Sequence, residues 1–265
     1  MNLGWWEGLI LGLVQGFTEF LPISSSGHLV LAERALDFRP PGVFFEVTVH
    51  VATLLSVVIA YRVRIAGLLR GIFSGDRDGL RYAGLILLAS VPAGLAGILL
   101  RDYFERTFHS LPALGWNFLI TAGLLWSTRW ARTRPASAGP GVIPSVGQAL
   151  AIGTAQAVAI LPAISRSGST IAVGMWTGLP AVVAAEFSFL MSIVVIAGSG
   201  MLEARHLISG AQSVSPGLAL AFLAAMISGI AAIFFLVALL RRGKFHYFAP
   251  YCAGLGLLCL AWFAF

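Results

Sequence analysis

The sequence predicts an all-α polytopic membrane protein, built as an inverted-topology repeat with about six transmembrane helices and two re-entrant helical hairpins. Three observations predict this class. Hydrophobic residues make up 58% of the 265 residues and charged residues only 11%, roughly half the charged fraction of an ordinary soluble domain. Apolar stretches close to the ~20 residues needed to cross a bilayer recur along the chain. Finally, a similar polar motif occurs once in each half.

The apolar stretches predict six spans, at 43–61, 83–100, 112–128, 186–202, 217–240 and 248–265. Arginine and lysine cluster in three of the intervening loops, 62–81, 129–144 and 241–247, and the positive-inside rule assigns these loops to the cytoplasm. The 101–110 loop and both termini are then expected at the periplasm. This distribution explains the net charge of +6, so no nucleic-acid partner is predicted.

An internal repeat appears when the sequence is shifted by 141 positions. The shift places Gly12 on Gly153, Gln15 on Gln156 and Ser26 on Ser167. The loop assignment makes the first span of each half run in opposite directions, so the repeats are predicted to be inverted. Irregular backbone inside a membrane must be buried in protein or line a wet cavity. The two motifs are therefore expected to meet within the bilayer.

The segment 134–144 is rich in proline and glycine and is predicted to link the two repeats. The predicted repeats are 1–134 and 145–265, each opening with a re-entrant hairpin, at 1–40 and 145–185, that is followed by three transmembrane helices.

The tip of the first hairpin collects polar groups: Gln15, Glu19, Ser24, Ser25, Ser26, Gly27 and His28. Gln15 and Glu19 share a helix face, and Pro22 ends that helix before the serines. Such a turn brings backbone N–H groups, hydroxyls and an imidazole into one small volume, as an oxyanion or a phosphate requires. The alternative is a polar turn that only caps the next helix. Ionisable residues at membrane depth favour the functional interpretation.

The tip of the second hairpin places an arginine where the first has Ser25; its polar residues are Ser165, Arg166, Ser167 and Gly168. The planar guanidinium fork suits phosphate oxygens. An ion pair with Glu19 that only joins the hairpins is the alternative, and the two roles are compatible. Glu46 and His50 form a further i, i+4 pair, predicted either to support the site or to lie near the interface without a chemical role.

These motifs resemble the undecaprenyl-diphosphate phosphatases of bacteria, also called bacitracin-resistance proteins. The resemblance rests on Gln15-x-x-x-Glu19, on Leu-Pro-Ile-Ser-Ser-Ser-Gly-His at 21–28 and on Ser-Arg-Ser-Gly at 165–168, and it covers nearly the whole chain. One departure is Pro162-Ala163-Ile164, where the family often has Pro-Gly-Thr. This departure concerns the backbone of the tip rather than its chemistry.

The resemblance implies hydrolysis of undecaprenyl diphosphate to undecaprenyl phosphate and inorganic phosphate, which recycles the lipid carrier for cell-wall synthesis and gives bacitracin resistance. It implies a divalent cation, Mg²⁺ or Ca²⁺, with Glu19 as a candidate ligand. Glu19, Ser25, His28 and Arg166 are the implied catalytic set. The implied substrate-binding residues are Gln15, Ser24, Ser26, Gly27, Ser165, Ser167 and Gly168.

In the predicted mechanism Ser25 attacks the terminal phosphate and His28 takes the serine proton, while water attack and a phosphohistidine at His28 remain alternatives. A polyprenyl-phosphate carrier or flippase on the same scaffold is the competing function, because inverted repeats with broken helices are a transporter design. The expected location is the bacterial inner membrane, with the site open to the periplasm, and a homodimer is left open.

Overall fold

The computed structural model describes residues 3–38, 44–108, 110–131, 142–207 and 215–264. Within these residues the regular structure is helical throughout, which confirms the predicted all-α class. The α-helices in this part of the chain are α1 (Trp5–Phe20), α2 (Ser25–Ala35), α3 (Phe44–Ala60), α4 (Arg62–Ser74), α5 (Arg77–Leu99), α6 (Arg101–Phe108), α7 (Leu111–Ser127), α8 (Val146–Val158), α9 (Arg166–Trp176), α10 (Ala181–Leu207), α11 (Pro216–Arg241) and α12 (Ala249–Ala264). Short 3-10 turns follow α7 and precede α12.

The first hairpin consists of α1 and α2, and its turn is set by proline and serine. Leu21 takes extended backbone, as expected before Pro22, so α1 cannot continue. Ser24 then caps α2 by accepting a hydrogen bond from the backbone N–H of Gly27. At 16 and 11 residues, the helices are about 24 and 17 Å long, too short to cross a hydrocarbon core of about 30 Å.

The second hairpin consists of α8 and α9 and is built in the same way. Ser145 and Gln148 form a capping box at the start of α8, in which each side chain bonds the other residue's backbone N–H. Ser165 caps α9 by accepting from the N–H of Gly168 at 3.0 Å. Helical hairpins therefore occur where the sequence predicts re-entrant ones.

The six predicted spans correspond to α3, α5, α7, α10, α11 and α12. Among the described residues, four segments are long and apolar enough to cross a membrane: Arg77–Leu99, Ala181–Met201, Pro216–Arg241 and Phe245–Trp262. A fifth arises if α3 and α4, which meet at an angle of 77°, form one broken span. The sequence did not anticipate α4. α7 has 17 residues, the lower limit for a span.

The outer faces of these helices carry large apolar side chains. Leu87 on α5, Ile227 on α11 and Leu258 on α12 are 58%, 63% and 67% exposed. Apolar exposure of this kind on several long helices fits contact with lipid tails rather than water. The chain is therefore a multi-pass membrane protein.

The two halves of the chain use equivalent packing partners. α1 packs on α11, and its counterpart α8 packs on α5. Gly12 of α1 lies against the backbone of Ala221, and the equivalent Gly153 of α8 lies against the backbone of Ala89. Small residues at these positions allow the helix backbones to approach closely. The division into repeats at 1–134 and 145–265 stays a prediction, and most of the expected linker lies outside the described residues.

Candidate active site

The carboxylate of Glu19, near the end of α1, is the point at which the two hairpins meet. Its Oε1 pairs with Nη2 of Arg166, the first residue of α9. Its Oε2 accepts hydrogen bonds from Ser25 Oγ at 2.5 Å and from Gln15 Nε2 at 3.2 Å. Glu19 is only 8% exposed, and a buried carboxylate requires such partners. The structure thus brings Ser25 and Arg166 to the two oxygens of one side chain.

Arg166 uses only part of its guanidinium group in this pair. Its Nη1 is buried and has no hydrogen-bond partner within the described part of the chain. An unsatisfied buried N–H group of a cation is costly unless a ligand completes it. One arm of the fork is therefore held by Glu19, and the other remains available to an incoming phosphate oxygen.

Direct contacts between the tips hold the two hairpins together. Ser167 Oγ donates to the backbone carbonyl of Leu21 at 3.1 Å, and the N–H of Ala163 donates to Ser26 Oγ at 3.4 Å. Gly27 has no space for a side chain, because a Cβ there would lie 2.5 Å from Cζ of Phe118. Ser25 and Arg166 both begin helices at these tips, so two positive helix N-termini meet near the Glu19 carboxylate.

Several tip hydroxyls also have partners within the fold. Ser24 and Ser165 cap α2 and α9, and their side chains are buried. Ser167 is bonded to Leu21 across the interface. These hydroxyls therefore help to position the tips, and their contact with a substrate stays a prediction. Capping, the alternative that the sequence left open, is what the structure shows for Ser24.

His28 lies one turn beyond Ser25 on α2 and does not bond to it. Its Nδ1 lies 2.7 Å from the carbonyl oxygen of Ser24, and its Nε2 lies 2.7 Å from the hydroxyl of Tyr251 on α12. A carbonyl can only accept, so Nδ1 carries the proton and Nε2 of the neutral ring accepts from Tyr251. The predicted His28–Ser25 contact is thus replaced in the structure by Glu19–Ser25.

His50, whose role the sequence left open, reaches the site from α3. Its Nε2 lies 3.8 Å from Glu19 Oε2, while its Nδ1 bonds the backbone carbonyl of Glu46 at 2.7 Å. Glu46 therefore orients the imidazole through its main chain. The i, i+4 spacing of Glu46 and His50 was a usable signal, but the sequence could not show which helix faced the pair.

Residues on α7 and α12 support the tips, and the sequence analysis missed them. Asn117 Nδ2 donates to the carbonyl of Pro162 at 2.7 Å, and Thr121 Oγ1 donates to that of Ala163 at 2.9 Å. The thiol of Cys252 lies 3.7 Å from the carbonyl oxygen of Pro22. Each tip is thus held by a helix from the other half of the chain. Polar residues inside predicted spans were the available signal.

At Ala163 the second tip departs from the Pro-Gly-Thr pattern of the similar family. The backbone of Ala163 has φ of 65°, in the left-handed region where glycine is unstrained and alanine costs about 1–2 kcal/mol. The Pro-Gly-Thr of the similar family has glycine at this position. Hydrogen bonding to the Ala163 carbonyl and complete burial of the residue hold the alanine in this conformation.

The donor set fits a protein-held metal ion poorly. Both oxygens of Glu19 are engaged by Arg166, Ser25 and Gln15. In the part of the chain that is described, no three His, Cys, Asp or Glu side chains lie close enough together to hold a metal ion. Gln15 supplies an amide where a second carboxylate would favour a divalent cation.

Comparison with known proteins places these features in a family. The family model described as "Bacitracin resistance protein BacA" matches residues 8–258. A protein of Desulfosudis oleivorans named undecaprenyl-diphosphatase is 42% identical, over 94% of this chain and 95% of its own length. Proteins of the same name from Parabacteroides distasonis and Desulforapulum autotrophicum are 38% and 34% identical, each with at least 96% of both chains covered. The chain therefore belongs to the family of the bacitracin resistance protein BacA.

Proposed function

We propose that this protein is an undecaprenyl-diphosphate phosphatase, which releases inorganic phosphate and leaves undecaprenyl phosphate in the membrane. The observation that carries the proposal is the convergence of Ser25 and Arg166 on the buried carboxylate of Glu19. Phosphoryl transfer needs a nucleophilic hydroxyl, a carboxylate that can accept its proton and a guanidinium that can bind the phosphate. Here the carboxylate is in direct contact with the other two groups. The names of the relatives agree with this chemistry.

Arg166 binds the terminal phosphate in the proposed complex. Its Nη1 lacks a partner in the described structure and donates to a phosphate oxygen, while Nη2 stays on Glu19. The N-termini of α2 and α9 add backbone N–H groups and a positive dipole at the same place. The isoprenoid chain remains among the apolar helix faces, so the lipid does not leave the membrane.

Ser25 attacks the terminal phosphorus, and Glu19 accepts the proton from its hydroxyl. A hydrogen bond of 2.5 Å already joins Ser25 Oγ to Glu19 Oε2. The new bond joins Ser25 Oγ to phosphorus, and the broken bond joins phosphorus to the bridging oxygen, which leaves with undecaprenyl phosphate. Water then hydrolyses the phosphoserine, which regenerates the Ser25 hydroxyl and releases inorganic phosphate.

His28 assists the second half of the reaction in this proposal. Its Nε2 carries a lone pair, because Nδ1 is committed to the Ser24 carbonyl, and this lone pair accepts from Tyr251. Once the tyrosine hydroxyl turns away, the same nitrogen can take a proton from the hydrolytic water. Tyr251 therefore keeps the imidazole in the tautomer that can act as a base.

A divalent cation, expected from the family, is proposed to arrive with the substrate. Diphosphate oxygens are good ligands for Mg²⁺, which commonly binds through substrate phosphates and few carboxylates. No step of the mechanism is assigned to it, because Glu19 is engaged by Arg166 and Ser25. The proposed location is the bacterial inner membrane with access from the periplasm, which is supported by the basic loops on the opposite face.

A carrier or flippase for the polyprenyl phosphate is the second candidate. The equivalent packing of α1 on α11 and of α8 on α5 favours it, because such pseudo-symmetry is a basis of alternating access. Phosphate release by purified protein in detergent, where no second membrane face exists, distinguishes the enzyme from a carrier.

The test of the phosphatase is Ser25→Ala, compared with Ser26→Ala as a matched control on the next residue. We expect Ser25→Ala to abolish phosphate release while substrate still binds, because the lost group acts in the chemical step. Ser26→Ala should cost less, about 10–100-fold, as expected for the loss of one hydrogen bond to the charged phosphate. Near-normal turnover of a folded Ser25→Ala protein would reject the serine nucleophile and leave water or His28.

A trapping experiment separates the two halves of the reaction. With substrate labelled in its terminal phosphate, His28→Ala should accumulate label on the protein, since Ser25 can still attack but water is no longer activated. Acid-stable label at Ser25 supports the proposal. Acid-labile label on the wild-type protein that disappears in His28→Ala would instead indicate a phosphohistidine.

A further inference from the structure

A cavity remote from the Glu19 site opens on the face that carries the basic loops. It has a volume of about 430 Å³ and lies between the ends of α7, α9 and α11 and the starts of α10 and α12. Its polar lining includes Arg129, Arg241 and His246. A cavity of this size is in the range of small-molecule sites.

The charge of this cavity has one sign. Two guanidinium groups line it, and no carboxylate is among the described residues that line it. Lys244 lies close by, with its ammonium group over the ring of Tyr247. The first turn of α10, at Ala181 and Val182, forms another wall and adds backbone N–H groups. Arg129 and Arg241 are exposed at this cavity with no carboxylate in its lining, which favours an anionic ligand, and the guanidinium fork favours phosphate oxygens.

Four exposed aromatic residues lie close to the cavity. Trp126 and Tyr247 contact His246 of its lining, and Trp130 and Trp176 lie at an adjoining cavity; all four are between 42% and 70% exposed. Tryptophan and tyrosine concentrate at the level of the lipid headgroups. Trp176 and Arg166 are ten residues apart on α9, so the cavity lies about 15 Å from the catalytic arginine along that helix.

A second, more open cavity extends the first one along the lipid-facing surface. It is lined by Ser127, Trp130, Ala131 and Trp176, and it shares Ala131 with the basic cavity. A phosphate in the basic cavity would therefore have an apolar, aromatic groove beside it. This combination suits a phosphate that is attached to an acyl chain better than a free phosphate ion.

We infer that the two cavities together bind an anionic phospholipid, with its headgroup phosphate between Arg129 and Arg241 and an acyl chain along Trp130 and Trp176. Basic pockets between transmembrane helices on the side of the basic loops recognise such headgroups. The site goes beyond the proposed phosphatase activity and uses none of its residues. A bound lipid would join α7, α9 and α11 at the membrane surface.

The test measures lipid binding to delipidated, purified protein by native mass spectrometry. Phosphatidylglycerol and phosphatidylcholine with the same acyl chains are titrated separately. We expect phosphatidylglycerol to bind at least about ten-fold more tightly. Arg129→Gln/Arg241→Gln should weaken its binding by about 30-fold, since each arginine near an anionic headgroup contributes about a factor of five. Arg129→Lys/Arg241→Lys should retain most of the affinity, because it keeps both charges.

Arg77→Gln/Arg81→Gln is the matched control, because it removes the same charge from exposed positions in the first turns of α5. It should bind phosphatidylglycerol like the wild type. An equal loss in both glutamine variants, or no preference over phosphatidylcholine, would overturn the site. Phosphate release in detergent should be unchanged in Arg129→Gln/Arg241→Gln, so failure here is distinguishable from failure of the proposed enzyme.

Two competitors identify the source of the phosphate. Inorganic phosphate at millimolar concentration should not displace phosphatidylglycerol, and displacement would reduce the site to a free-anion site. Farnesyl phosphate should compete no better than a phospholipid. Stronger competition from this isoprenoid would overturn the phospholipid assignment and indicate a second position for the substrate class.

Discussion

Arg166→Lys tests whether the second nitrogen of the guanidinium group, Nη1, binds the transferred phosphate. In the structure Nη2 holds Glu19 Oε1, while Nη1 is buried without a partner in the described residues. A lysine ammonium can keep the ion pair with Glu19, but it cannot also present a second nitrogen in the same plane. The substitution therefore removes the proposed phosphate contact while it preserves the charge.

The expected loss follows from one charge-assisted hydrogen bond. Such a bond contributes about 1.5–3 kcal/mol, which corresponds to a reduction of turnover by about 10–150-fold. Thermal stability should change little, because the buried carboxylate still has a cation beside it. Arg166→Ala should instead destabilise the fold by about 3–5 kcal/mol, since it leaves Glu19 buried without a counter-charge.

Arg64→Lys is the matched control, because Arg64 also forms an interhelical pair, with Nε 2.8 Å from Glu186 Oε1. Phosphate release and thermal unfolding are measured for both lysine variants. Arg64→Lys should leave turnover within about three-fold, as expected for a partly exposed pair. The reasoning would be refuted if Arg166→Lys hydrolysed the substrate at the wild-type rate, or if both variants lost activity equally.

Three further predictions follow from the geometry. Tyr251→Phe should lower kcat by about 3–10-fold with unchanged KM, because one neutral hydrogen bond to the active-site imidazole is lost; a changed KM with normal kcat would contradict that role. Gly27→Ala should lower both the unfolding temperature and turnover, since its Cβ would lie 2.5 Å from Phe118 Cζ. A variant with unchanged unfolding temperature and turnover would show that the tips are not tightly docked. In intact cells an impermeant thiol reagent should label Arg106→Cys but spare Ser74→Cys, and the reverse pattern would overturn the proposed topology.

Cation binding offers a separate check. Isothermal titration of Mg²⁺ into the substrate-free protein should show no specific site, because Glu19 is engaged by protein partners. The Mg²⁺ concentration needed to activate the enzyme should instead increase as the concentration of the diphosphate substrate is increased. A tight stoichiometric Mg²⁺ site in the free protein would contradict the proposed arrival of the cation with the lipid.

Local sequence signals determined much of this architecture. The apolar stretches predicted six spans, because a lipid environment requires long apolar segments whose backbone is satisfied internally. Within the described residues four helical segments meet that requirement, or five if α3 and α4 form one span. Pro22 and the serines after it predicted where the first hairpin turns. The 141-residue shift linked the motifs of the two halves and led to the expectation that Ser25 and Arg166 lie together. These features depend on neighbours in sequence or on repetition of a pattern.

Only the tertiary structure decided which polar groups bond to one another. Ser25 bonds Glu19 rather than His28, and His28 is paired with Tyr251, which lies 223 positions away in the chain. His50 reaches Glu19 from another helix. Side chains on different helices meet according to how those helices pack, and spacing along one segment carries no information about that packing. The sequence therefore determined which groups are available at the tips, while helix packing decided which hydroxyl, carboxylate and imidazole can exchange a proton.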